Sequence, residues 1–396
     1  MEYQFSDRIK TIKASAIREI FKLTADPAVI SFAAGNPSPD AFPIDAVREI
    51  TADILANSPV EALQYNITEG YLPLRTYVKE TLLPEIGSFD PEMDDAIIVT
   101  GGQQGIDLTC KVLCNEGDTV LCENPSFVGA LNAIKAYNTN LVGIDLEEDG
   151  INLEQLEHAL KTEKNVRLLY IIPTFQNPSG ITTSLEKRKA VYELCKKYGV
   201  LILEDNPYGA LRFAGSDVPT IKSMDTDGIV IYSGSFSKVL SPGIRVGFLS
   251  LPKAISAKVV VAKQANDVHT NILAQMIAHR FVTGYDFAAH LEHLRAIYGH
   301  KCNLMLEEMD REFAPSVTFT RPQGGLFLWA TLPEEVDMMK FCKDAVVNKV
   351  AVVPGSAFLP HEETMVSHSF RLNYSMPSDD QIRNGIRILG EMTRAL

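Results

Sequence analysis

An α/β fold is predicted for this chain: a doubly wound sheet over roughly residues 96–250, then a smaller α+β unit. Three observations carry that prediction. Short apolar runs alternate with amphipathic stretches of helical length between 96 and 250, the pattern of strands joined by crossover helices. Each apolar run empties into a cluster of Gly, Pro, Asn, Asp or Ser, the residues that turn a chain. Beyond Ala254 the pattern becomes helical, then returns to short strands near the end. With 396 residues, 46% of them hydrophobic, the chain can bury a core of that size.

Taken in order, residues 6–24 place Ile9, Ile12, Ala16, Ile17, Ile20 and Phe21 on one helical face. The run Ala34-Gly35-Asn36-Pro37-Ser38-Pro39 is a turn cluster; Gly35 either connects or lets backbone approach a ligand closely. A helix is predicted over 45–55, and another from 72 to about 83. Between them lies a polar loop containing Tyr65. Residues 96–100 form a strand, and Gly101-Gly102-Gln103 turns it into a helix running from about 103 to 114. Strand, glycine turn and helix N-terminus together make an anion site, because free N–H groups and the helix dipole face one point. Glu123, some twenty residues on, imitates a dinucleotide fingerprint, but the full G-x-G-x-x-G is absent.

Residues 118–123 make the next strand. Phe127 beyond it either stacks on a flat ligand or belongs to the core. A strand over 141–146, a helix over 153–160 and a buried strand over 166–172 follow, the last ending in PTFQNPSG. Asn177 precedes a proline, which holds it extended and able to aim its amide. A helix over 184–198 starts at Ser184 and stops at Gly199. Strand 200–203 runs into Asp205, at the strand end where open α/β sheets gather ligands.

Residues 229–249 read IVIYSGSFSKVLSPGIRVGFL. Here Lys238 follows a loop of small residues between two core strands, and Arg245 follows a second turn. A loop amine held against a buried sheet loses hydration, which lowers its pKa and frees a nucleophile suited to Schiff-base chemistry. The remainder comprises a long polar helix starting near Leu291, a helix over 335–348, a strand over 350–353, a strand over 369–374 and a final helix opened by Ser378 with Gln381. Arg371 alternates with Phe370 and Leu372, so it either meets solvent or clamps a carboxylate with its planar fork.

The formal net charge of −13 argues against nonspecific binding to nucleic acid or acidic membranes. No apolar run reaches membrane-spanning length, and the N-terminus lacks an apolar signal core. Six scattered cysteines without a C-x-x-C pair fit free thiols in a reducing compartment, and no His/Cys spacing indicates a metal. A soluble cytoplasmic protein is expected.

The motifs NPSG, EDNPY, SGSFSK followed by PGIRVGF, and FRLNYS, in this order and separation, resemble those of fold-type I pyridoxal-phosphate aminotransferases of class I/II. The likeness runs from AAGNPSP nearly to the end of the chain, and is greatest to the 2-aminoadipate and aromatic aminotransferases. It implies a mixed, mostly parallel sheet in a large cofactor-binding domain over 46–290. It also implies a small α+β domain over 291–396, joined by residues 1–45.

The resemblance further implies that Lys238 carries pyridoxal 5′-phosphate as an internal aldimine, and that Asp205 faces the ring nitrogen. Asn177 and Tyr208 would hold the ring's phenolic oxygen, and Phe127 would stack on the ring. The phosphate would rest on the Gly102 and Gln103 backbone with Ser235, Ser237 and Arg245, and with Tyr65 from a second subunit of a homodimer whose active sites are shared. Arg371 would bind the substrate α-carboxylate, aided by Asn177 and the Gly35 backbone. The expected reaction moves the amino group of an L-amino acid to a 2-oxo acid, 2-oxoglutarate foremost, in ping-pong fashion. Residues 12–21, with Arg18, would cover the substrate side chain. Other enzymes of this fold (a C–S lyase, a racemase, a decarboxylase), a non-catalytic pyridoxal-phosphate-binding regulator and a dinucleotide enzyme are the alternatives.

Overall fold

The computed structural model describes residues 3–10, 26 and 28–396. Most of the predicted first helix, including residues 12–21, lies outside the described residues.

The larger sheet contains β2 (Asp94–Val99), β3 (Thr119–Asn124), β4 (Asn140–Glu147), β5 (Gly150–Ile151), β6 (Val166–Ile171), β7 (Leu201–Asp205), β8 (Val230–Ser235) and β9 (Gly247–Pro252). Its order is β2-β9-β8-β7-β6-β3-β4-β5. The run β8-β7-β6-β3-β4 is parallel. β9 is antiparallel to both its neighbours, and β5 to β4. This is the mixed, mostly parallel sheet of the expected α/β fold. The central strands carry continuous apolar runs because helices cover both faces: Leu168, Leu169, Ile202, Leu203, Val230 and Ile231 are all fully buried.

The principal covering helices are α1 (Ile44–Asn57), α2 (Gly101–Leu113), α3 (Val128–Lys135), α4 (Leu153–Thr162), α5 (Leu185–Tyr198), α6 (Lys253–Gln264), α7 (Ile272–Gly284) and α8 (Phe287–Glu312). Their ends follow local chemistry. The Ser184 hydroxyl accepts the Lys187 N–H at the start of α5, and Gly199 ends that helix at φ 67°, a left-handed conformation that glycine adopts without strain. α8 starts earlier than Leu291, at Phe287, because the Asp286 side chain caps it by accepting the Ala289 N–H. A cap made by a side chain leaves no mark in apolar periodicity.

A second sheet has the order β10-β11-β14-β13 and is antiparallel: β10 (Thr318–Phe319), β11 (Phe327–Thr331), β13 (Val353–Pro354) and β14 (Ser369–Asn373). The single strand expected over 350–353 is two pieces. β12 (Val350–Ala351) pairs in parallel with β1 (Ile30–Ser31), whereas β13 pairs with β14, so one strand serves two partners. α9 (Met338–Val347) and α10 (Asp379–Arg394) complete this part, α10 opening with the Ser378/Gln381 capping box and packing on α8. Through β1, the Phe32 N–H donates to Ala351 O (2.8 Å) and the Asn373 N–H to Phe32 O (2.8 Å), which anchors residues 30–35 beside β14. Among the described residues, no helix is long and apolar enough to cross a membrane, and no group of side chains is arranged to hold a metal ion.

Candidate active site

Parallel neighbours send their carboxyl ends to one edge of a sheet. Asp205 ends β7, Lys238 follows β8, Phe127 follows β3 and Asn177 follows β6. Antiparallel β9 begins at the same edge and brings Arg245 there. Lys238, Asp205, Asn177, Tyr208, Phe127 and Arg371 line one cavity of about 310 Å³, completed by Gly35, Gly102, Gln103, Ser235, Ser237 and Arg245. A larger cavity, about 670 Å³, lies between the end of β4 and residues 318–323 and contains none of these groups.

The Lys238 amine donates to Gly35 O at 2.8 Å, so the N-terminal segment closes over it. Burial, reinforced by the Arg371 and Arg245 guanidinium groups, pushes its pKa down to about 8. Far more of it is therefore free amine near neutral pH than for a lysine in water. Asp205 is buried at the cavity floor, where it accepts the Tyr170 hydroxyl on Oδ2 at 2.8 Å. Burial raises its pKa to about 6, the Tyr170 bond partly offsetting that shift. It thus remains mostly ionised at pH 7 and answers sharply to a nearby positive charge.

The 101–103 turn starts α2 immediately after β2. Gly101 sits at φ 71°, and any side chain there would run into the Arg245 guanidinium. Arg245 also donates to Pro242 O at 3.3 Å and to Thr100 O at 3.4 Å. A Cβ on Gly102 would stand 3.8 Å from Asp205 Oδ1, so the bare glycine keeps the space above the acid open. The first N–H groups of a helix have no partner within it. The Ser235 and Ser237 hydroxyls, 2.9 Å apart, line the same end of the cavity, and the Ser237 N–H donates to Ser235 Oγ at 3.1 Å. The Gln103 side chain is committed to Gly129 O, to which it donates at 2.8 Å.

Arg371 is 4% exposed on β14, paired with Trp329 and Val353. Its Nη1 donates to Asn177 Oδ1 at 2.9 Å and its Nη2 to Ala33 O at 2.8 Å, while the buried Nε has no partner. The Phe327 and Phe358 rings lie 4.2 and 4.9 Å from the guanidinium carbon. Burial lowers its pKa to about 10, so it stays charged at neutral pH. The Asn177 amide also donates to the Tyr208 hydroxyl at 3.4 Å, and the Tyr208 ring stands edge-on to Phe327 at 5.8 Å.

Tyr65 does not join this cavity. It is 79% exposed and stands edge-on to His269 at 5.8 Å. Tyr170, Phe327, Val128, Ile106 and Ile172 belong to the site but were not singled out from sequence. The signal for Phe327 was the glycine pair ahead of it; Tyr170 offered none, since a tyrosine inside an apolar strand reads as core.

The site therefore unites a depressed amine, a buried carboxylate, an anion-accepting turn and a half-satisfied guanidinium. The family model described as aminotransferase class I and II matches residues 27–389. The chain belongs to that family. It is 39% identical to aromatic-amino-acid aminotransferase 1 of Thermococcus litoralis, over 98% of this chain and 94% of the relative. The kynurenine aminotransferase of Pyrococcus horikoshii, solved with PMP, superposes with a TM-score of 0.94 at 37% identity, covering 99% and 97% of the two chains. The α-aminoadipate aminotransferase of Thermus thermophilus, solved with N-(5′-phosphopyridoxyl)-L-leucine, gives a TM-score of 0.89 at 37% identity and the same coverage. This class I and II aminotransferase is a transferase of amino groups, and its cofactor is pyridoxal 5′-phosphate. The residues present fit that cofactor: an amine for its aldehyde, an acid below the open space at Gly102, and N–H, hydroxyl and guanidinium groups at one end for a phosphate.

Proposed function

We propose that this aminotransferase moves the amino group of an apolar or aromatic L-amino acid to 2-oxoglutarate by a ping-pong sequence, with Lys238 as the reacting amine. One observation carries this reading: a lysine amine with its pKa lowered and a buried aspartate share one cavity with an arginine whose Nε is unpaired. Bound pyridoxal phosphate supplies an aldehyde carbon and an electron-withdrawing ring.

The chain's own groups do the rest. Arg371 binds the α-carboxylate through donors not committed to Asn177 and Ala33, and Asn177 keeps the fork aimed. Lys238, as general base, takes the proton from the substrate Cα. Asp205 would hold a proton at the ring nitrogen by its negative charge. Asn177 and Tyr208 would hold the phenolic oxygen, and Phe127 would cover the ring. Gly102, Gln103, Ser235, Ser237 and Arg245 would receive the phosphate, with Tyr65 from a second copy of the chain.

Support for the substrate class comes from the cavity wall, where Ile106, Val128, Ile172 and Phe327 are apolar. Among the described residues, the charged side chains lining the cavity are Asp205, Lys238, Arg245 and Arg371, each already engaged in this reading. A distal carboxylate would then fall to Arg18, within residues 12–21.

The homodimer is supported by an apolar face around Tyr65, where Val60, Leu63 and Leu72 are 76%, 74% and 62% exposed. Six unpaired cysteines support the cytoplasm as its compartment. The separate sheets support a division into a large domain (46–290) and a small one (291–396) joined by residues 1–45, with α8 at the seam.

The test is a panel of amino donors against 2-oxoglutarate, run beside a Lys238→Ala variant. That variant should fold, bind cofactor without covalent attachment, and show no turnover. Covalent attachment surviving in Lys238→Ala would overturn the reading.

A further inference from the structure

Behind the 101–103 turn lies a partly buried polar cluster that the reaction does not use. Lys263, on α6, is completely buried. Its ammonium donates to Asp267 Oδ1 and Oδ2 at 2.7 and 2.9 Å, to Thr270 Oγ1 at 3.0 Å and to Gln104 Oε1 at 3.2 Å. Asp267 Oδ2 accepts the Thr100 hydroxyl at 2.8 Å and the Gln104 amide at 2.7 Å. Gln104 Oε1 in turn accepts the Thr100 N–H at 2.7 Å. Thr100 is thus gripped at both its amide and its hydroxyl. It is the residue that caps α2, directly ahead of Gly101.

With the ammonium buried and the carboxylate a quarter exposed, this ion pair adds little net stability. What it does supply is direction, since every bond in the cluster ends on a fixed atom. Two of these bonds, from the Thr100 hydroxyl to Asp267 and from the Thr100 N–H to Gln104, hold the one residue that sets where the turn begins. We propose that Lys263 and Asp267 are positioning residues for the phosphate end of the cofactor, holding Thr100 and thereby the 101–103 turn in its anion-accepting arrangement. The inference rests on the reading that the phosphate lies on that turn.

The test compares pyridoxal phosphate with pyridoxal, which lacks the phosphate. Half-saturation of the apoenzyme by each is followed through the absorbance of the bound chromophore. Two variants are used: Lys263→Met, which removes the ammonium, and Thr100→Val, which cuts only the hydroxyl link and leaves the ion pair in place. Circular dichroism reports whether each variant folds. The expected result is a half-saturation for pyridoxal phosphate raised about tenfold in Lys263→Met, the equivalent of one charge-assisted hydrogen bond, and several-fold in Thr100→Val. Pyridoxal should shift less than about twofold in both. Equal shifts for the two compounds, or no shift in folded Thr100→Val, would overturn this inference alone. A wild-type apoenzyme that binds pyridoxal as tightly as its phosphate would overturn the underlying reading, and the inference with it.

Discussion

Replacing Arg371 by lysine keeps the charge and removes the fork. In the wild type, Nη1 and Nη2 each spend a bond on Asn177 Oδ1 and Ala33 O, while Nε and the remaining N–H groups stay available to a carboxylate. A lysine ammonium has only three donors. With Asn177 and Ala33 retained, one is left, so one of two charge-assisted hydrogen bonds to the substrate is lost. Such a bond contributes about 1.5–3 kcal/mol. At about 1.4 kcal/mol per factor of ten, the loss should be roughly 12- to 140-fold in kcat/KM for an amino acid. Lysine also lacks the flat faces that sit 4.2 and 4.9 Å from the Phe327 and Phe358 rings, which pushes the result toward the upper end. The assay is the first half-reaction, followed in a stopped-flow spectrophotometer by the change in cofactor absorbance, with L-phenylalanine and with 2-phenylethylamine. The amine has no carboxylate, so its rate constant should be nearly unaltered and the wild-type preference for the amino acid should collapse. Equal losses on both donors would show that Arg371 supports the site without gripping the carboxylate.

Apoenzyme recombining with pyridoxal phosphate should show a rate that rises with pH and levels off above about 8, because burial disfavours the protonated Lys238 amine; an inflection near the usual lysine value of 10.5 would contradict that. Tyr170→Phe removes the hydroxyl donor that partly holds Asp205 down, so the carboxyl of the apoenzyme, about 6 in the wild type, should stay protonated to higher pH when its titration is followed by infrared difference spectroscopy; an unmoved titration would exclude the Tyr170 hydroxyl as a determinant of the Asp205 charge. Asp205→Asn should slow Cα deuterium exchange by at least about tenfold, the worth of one charge-assisted hydrogen bond, while leaving the thermal midpoint close to wild type. Gly101→Ala forces a side chain into the left-handed region and against Arg245, and should weaken cofactor binding more than Gly199→Ala, where a Cβ meets nothing within 4 Å; equal effects would assign the loss to backbone strain alone.

Much of the site was legible in the chain because its groups sit at strand ends. Strand ends are marked locally, by an apolar run that stops at Gly, Pro, Asn or Asp, as at Gly102, Asn177 and Asp205. Phe127 left a choice between ligand and core, and Arg371 between solvent and substrate. Tertiary contacts decided them: Phe127 lines the cavity, and Arg371 is buried against the Phe327 and Phe358 rings and Ala33 O. The start of α8 and the division of the 350–354 stretch escaped because one depends on a side-chain cap and the other on a change of pairing partner. Tyr170, Lys263 and Asp267 left no mark in one dimension.

By itself, then, the order of residues settled the alternating α/β pattern, the chemistry available at each loop and the kinship of the chain, since periodicity and motif are properties of neighbours in sequence. Tertiary structure alone decided which loops meet, that the Lys238 amine faces Gly35 O, and that its pKa falls. Those outcomes depend on desolvation and on hydrogen-bond partners some two hundred residues away (203 for Lys238 and Gly35, 194 for Arg371 and Asn177), and no local signal encodes them.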